Sequence, residues 1–155
     1  MTAGDGKILL GAALAAARGC ADAMEIQATG LLQAFPTLPS EEAVQATVMD
    51  LSAGLKDACS RVTFELALLQ TELEGRTNDV ATAVKRLSAM DATMMSAVAA
   101  LADVVDQLEQ VAERDERYEP AFVLVIEAVG VMLQGVEKAK VATQALRDWQ
   151  EMPRE

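Results

Sequence analysis

From Phe122 to Met132 the sequence reads FVLVIEAVGVM, apolar on nearly every side of a helix. A helix of that kind must be covered on more than one side. Placed on a helix, Phe122, Val125, Ile126, Val129, Met132, Leu133 and Val136 form one broad stripe, the core face expected of a bundle helix. Leu124 and Val131 point away from that stripe and Val123 lies on its flank, so the side left for solvent is apolar as well. Neighbouring helices of the same chain or a second subunit can cover it. A membrane span is not expected, because the apolar run is shorter than the ~20 residues a span needs and Glu127 and Gln134 interrupt it.

The other segments follow helical spacing too. Leu10, Leu14, Ala17, Ala21, Met24, Ala28, Leu31 and Phe35 recur at alternating steps of four and three, a heptad seam, and Arg18, Asp22, Glu25 and Thr29 lie opposite it. Gly11, Gly19 and Gly30 interrupt this helix, which suggests that a neighbouring backbone approaches closely there. Pro36, Pro39 and Ser40 form a corner, with Ser40 the expected N-cap of the next helix. That second helix has the seam Val44, Val48, Leu51, Leu55, Ala58, Val62, Leu66, Leu69 and Leu73, and Gly75 stands where a C-terminal cap belongs. Asp57, Arg61 and Glu65 suggest an ion-pair ladder on its outer side, with Phe64 and Leu68 beside it.

Thr77, Asn78 and Asp79 offer caps for a third helix. Its seam is Val80, Val84, Leu87, Asp91, Met94, Val98, Leu101, Val105, Leu108 and Ala112. Asp91 is the one charged member, either a buried group with a partner or the flank of a stripe centred on Met90, Met94 and Leu101; the flank reading is favoured, because shifting the stripe by one residue makes it wholly apolar. After the charged run from Glu113 to Glu119, Pro120 opens the last helix. Helices over 6–35, 41–74, 78–117 and 120–150, with a frayed tail over 151–155, are joined by corners short enough to force antiparallel neighbours. The expected architecture is a single all-α domain of 155 residues, an antiparallel up-down-up-down four-helix bundle with long helices.

Composition narrows the function classes. With no histidine, the commonest general base and the commonest transition-metal ligand are missing. The core of a di-iron or di-manganese carboxylate bundle needs Glu-x-x-His on two helices, and folding the chain back puts Glu65 and Glu127 about 30 Å apart at 1.5 Å per residue. Met90, Met94 and Met95 suit core filling better than copper binding, since no cysteine or histidine stands near them in sequence. GDGK at Gly4 to Lys7 lacks the spacing of a phosphate loop. Cys20 and Cys59 form no metal motif and no disulfide framework, which fits a reduced cytoplasmic setting. A secretory or lipoprotein leader over the first 20 residues is not expected, because Asp5 offsets Lys7 and Arg18 occupies the cleavage-box side of Cys20. A net charge of −11 disfavours nucleic acid and anionic lipid as partners.

No motif names a reaction, and no catalytic residue, cofactor or metal site is assigned. The expected function is that of a non-enzymatic helical interaction protein, an adaptor, chaperone-like or structural component that binds itself or another protein. Leu124, Glu127 and Val131 on the last helix, and Phe64 and Leu68 on the second, are the candidate interface. The alternative is a ligand-sensing bundle that holds a small apolar molecule between helices where alanine and glycine line the seam. Level arithmetic sets Asp91 opposite Arg61, which makes them a candidate structural ion pair.

Overall fold

A computed structural model describes residues 3–75 and 79–153. Four long helices, α1 (Ala3–Ala34), α2 (Glu42–Gly75), α3 (Val80–Arg114) and α4 (Glu119–Glu151), pack as an all-α four-helix bundle. Three cross-helix relationships fix their directions. Gly6 and Cys20 of α1 face Trp149 and Gly135 of α4. Arg86 of α3 pairs with Glu72 of α2 at 2.5 Å, and Arg147 of α4 donates to Ser88 of α3. Each of these helix pairs therefore runs antiparallel. In cross-section α1 touches α2 and α4, α3 touches α2 and α4, and α1 meets α3 across the shorter diagonal, which leaves α2 and α4 on opposite sides.

The corners are built from local chemistry. Phe35–Thr37 forms a 3-10 turn with Pro36 in its first positions, where the missing N–H costs nothing, and Phe35 is buried under it. Ser40 does not cap α2: its hydroxyl meets the Gln45 side chain at 3.4 Å, and the first helical bond runs from the Gln45 N–H to the Glu41 carbonyl at 2.8 Å. Asp79 caps α3, its carboxylate accepting from the Thr82 N–H at 3.1 Å and the Thr82 hydroxyl at 2.7 Å. Thr77 and Asn78, the other cap candidates, lie outside the described residues. At the last corner Asp115 leaves the helix in an extended conformation and accepts from the backbone and the guanidinium of Arg117. That pairing holds the Asp115 carboxyl below its ordinary pKa.

The seams of α1, α2 and α3 follow heptad spacing over most of their length, but Leu10, Leu14 and Leu51 are only half-buried, and beyond Leu101 the α3 seam shifts by one residue, so that Val104 and Val111 are buried in place of Val105 and Ala112. Ala17, Ala21, Met24, Ala28, Leu31 and Phe35 are buried, as are Val48, Leu55, Val62, Leu66 and Leu69, and Leu87, Met94, Val98 and Leu101. Met90 and Met94 are core residues and Met95 is turned outward. In α4 the inward face is rotated from the expected stripe. Val125, Val129, Met132 and Val136 are buried, but Ala121, Ala128 and Ala139 join them, while Ile126 and Leu133 stay exposed and Phe122 half-buried. The antiparallel register of Gly6 with Trp149 and Cys20 with Gly135 sets Ala139 level with the stretch of α1 that carries Ala13, Ala17 and Ala21, all fully buried, and sets Ala121 and Ala128 level with the far end of α1, where Ala28 is also fully buried. Small side chains on both helices allow a close approach, so the larger residues of α4 are left outside.

Candidate functional site

The outward side of α4 is the principal feature. Val123, Ile126, Val131 and Leu133 are 38%, 43%, 41% and 39% exposed, and Val141, two turns further on, is 60% exposed. Val123, Ile126, Gly130 and Leu133 are spaced three, four and three residues apart, a second heptad-like seam on the side away from the core. A side chain at Gly130 would meet nothing within 4 Å. Glu127 is exposed on this face and is the one charged residue between Pro120 and Val136. Leu124 is different from Val131: it is half-buried and packs against the core.

Phe64 and Leu68 on α2 are 65% and 44% exposed. Because α2 and α4 lie on opposite sides of the bundle, the five candidate interface residues belong to two separate surfaces. The ladder beside Phe64 is not formed. Among the described residues the ion pairs are Arg18–Asp22, Arg86–Glu72 and Arg117–Asp115, and none involves Asp57, Arg61 or Glu65.

Nor does Asp91 pair with Arg61. Asp91 is buried and not on the flank of its stripe, because α3 turns it toward α4, near Thr143, Lys140 and Arg147, whereas Arg61 is exposed on α2. The Arg86–Glu72 pair sets the register of α2 against α3 so that Asp91 lies nearer the level of Ala67 than of Arg61. The Asp91 Oδ1 atom has no hydrogen-bond partner. The Thr143 hydroxyl donates to the Ala139 carbonyl at 3.0 Å and lies close enough to the Asp91 carboxylate to favour its charged form, but it leaves Oδ1 without a donor. Burial raises the Asp91 pKa, and Thr143, Lys140 and Arg147 offset that only in part.

Cys20 and Cys59 are free, buried thiols. The Cys20 Sγ lies 3.6 Å from the Met24 sulfur. Desolvation, reinforced by Asp91 for Cys20 and by Cys20 for Cys59, pushes them up to about 11 and about 12. Thiols of that kind are poor nucleophiles. Among the described residues no group of three or more His, Cys, Asp or Glu is arranged to hold a metal ion.

Gly11, Gly19 and Gly30 face open space, so they accommodate no neighbour within this chain. The close approaches occur at Gly6, under Trp149, and at Gly135, where a Cβ would stand 3.4 Å from the Cys20 sulfur. The buried alanines leave no opening between α1 and α4, but at the surface Leu9, Ala12, Val141, Ala142 and Ala145 line a mainly apolar groove of about 320 Å³, with Glu137 and Lys138 at its edge.

Two helical segments, Val80–Arg114 and Glu116–Glu151, each contain an 18-residue window with mean hydropathy of 1.3 and 1.6. By length and composition alone either could cross a membrane, and about a third of each window is buried in the bundle. The chain matches no family model, no curated protein and no solved structure.

Proposed function

We propose that the chain is a non-enzymatic helical interaction protein that associates with a second copy of itself through the outer face of α4. The observation that carries this reading is the exposed Val123–Ile126–Gly130–Leu133 seam, backed by Val131. A second copy is the favoured occupant because of charge. A chain with net charge −11 repels its own copy over most of its surface, whereas the stretch from Pro120 to Val136 brings only Glu127 into such a contact. By comparison, α2 carries six acidic and two basic residues. In a two-fold antiparallel contact centred on Gly130, Ile126 of one copy stands opposite Leu133 or Gln134 of the other, and the bare glycine admits close approach of the two backbones.

Water, in the cytoplasm, is the medium we propose for this bundle. Glu127, Gln134 and Glu137 lie on the outward side of α4, where a lipid-facing helix would have to bury them in hydrocarbon. Phe64 and Leu68, on the far side, belong to a separate contact with another protein.

A Gly130→Cys variant tests the geometry. With Cys20 and Cys59 buried, mild oxidation yields a covalent dimer through position 130 if two α4 helices meet there. A variant that stays monomeric on oxidation contradicts the contact. A second reading, the binding of a small apolar molecule, is favoured only by the groove of Leu9, Ala12 and Val141. It predicts a rise in melting temperature with added hydrophobic ligand, lost in Ala12→Glu.

A further inference from the structure

A second surface cavity, of about 290 Å³, opens between α3 and α4 on the side away from α1. Its lining combines groups of opposite charge that do not meet. Asp91 is only 6% exposed, and its Oδ1 accepts no hydrogen bond from the chain. Lys140 and Arg147 line the same cavity, yet neither forms an ion pair with Asp91. Ala92 and Met95, the latter 38% exposed, supply an apolar wall.

Arg147 is held in place by a chain of side-chain bonds. Its Nη2 donates to the Ser88 hydroxyl across the helix boundary, and its Nη1 donates to Gln144 Oε1 at 3.0 Å. Gln144 in turn donates from Nε2 to Asp148 at 2.8 Å. A guanidinium has five N–H donors, so an arginine fixed by two of them keeps donors for a ligand.

Three simpler ligands fit this lining badly. A bare anion meets the Asp91 carboxylate, and a bare cation meets Lys140 and Arg147. An apolar molecule would seal Asp91 from water and still give its Oδ1 no donor. The volume, at the lower end of the ~300–1,000 Å³ typical of ligand sites, limits the occupant to a small molecule. We propose that this cavity binds a small zwitterion of free-amino-acid size, whose ammonium donates to the Asp91 carboxylate and whose carboxylate accepts from Lys140 and Arg147. The site is independent of the outer face of α4, and its occupancy does not require self-association.

Titration calorimetry with the standard amino acids, one at a time, is the test. At least one binds the wild-type protein. Its decarboxylated amine and its deaminated acid each bind at least about tenfold more weakly, about 1.4 kcal/mol per tenfold. Asp91→Asn keeps the shape of the side chain and removes its charge. This variant, shown to be folded by circular dichroism, loses at least about tenfold in affinity for the zwitterion but none for the bare acid. The proposal is overturned if no amino acid binds, if the bare acid binds as tightly as the zwitterion, or if Asp91→Asn leaves the affinity unchanged.

Discussion

The indole of Trp149 occupies the space in which residue 6 would carry a side chain: a Cβ built on Gly6 would stand 2.5 Å from the Trp149 Cζ2 atom. This contact joins the first two turns of α1 to the last turn of α4 and closes one end of the bundle. Trp149 is the only tryptophan, and it is 7% exposed. Its emission therefore reports on this one contact.

Gly6→Ala displaces the indole. The variant is expected to lose about 1–3 kcal/mol of stability, the usual cost of overpacking, and its tryptophan emission shifts to longer wavelength as the ring meets water. Unfolding by denaturant, followed by fluorescence and by circular dichroism, checks both. Unchanged emission would mean that α1 begins further from Trp149.

The outward glycines of α1 respond in the opposite sense. Gly11 and Gly19 lie within the helix and a Cβ at either would meet nothing within 4 Å. Gly11→Ala and Gly19→Ala should each stabilise the protein by about 0.5–1 kcal/mol through backbone entropy and helix propensity. A loss of stability in chemical denaturation would reveal a neighbour packed on that face.

Both thiols are expected to resist modification. Cys20 and Cys59 are 2% and 0% exposed, and their pKa values are pushed up to about 11 and about 12, so almost no thiolate is present at pH 8. An aromatic disulfide reagent should titrate no thiol in the native protein and two after denaturation. Rapid native reaction would contradict the burial.

The pH dependence of Asp91 has a definite sign. Its pKa is raised above the ordinary 3.8 by burial, so between 3.8 and the raised value the folded state holds a proton that the unfolded chain has released. The neutral carboxyl is favourable below that window, and the advantage is lost as pH rises through it. Asp91→Asn should therefore melt at a higher temperature than wild type at pH 7, with the difference vanishing below pH 3.8. A lower melting temperature for the variant at neutral pH would be the mark of a stabilising ion pair.

Much of the fold can be read from spacing, because in α1, α2 and α3 the large apolar residues keep a heptad rhythm against polar flanks. The direction in which α4 faces cannot be read that way. Its first four turns are apolar all round, so the pattern leaves the inward side open, and the burial of Ala121, Ala128 and Ala139 shows that the small residues take the inward side. The same limit applies to Asp91. Counting residues from the corners gives only a coarse level along the bundle, which points to Arg61, and only the rotation of α3 shows that Asp91 faces Lys140, Thr143 and Arg147. Gly6 gave no signal beside the more regular Gly11 and Gly19, because its partner lies at the other end of the chain. For the candidate interface, the sequence distinguishes an apolar outer side on α4, yet Leu124, named with Val131, turns out to pack against the core.

The central claim, self-association through the outer face of α4, is tested most directly by the solution mass of wild type beside Ile126→Glu, measured by light scattering. Ile126 is 43% exposed, so the substitution leaves the core intact. The account predicts a wild-type particle of twice the 16.5 kDa chain mass and a folded 16.5 kDa monomer for the variant. A wild-type monomer at micromolar to millimolar concentration, or a dimer that survives Ile126→Glu, would contradict it.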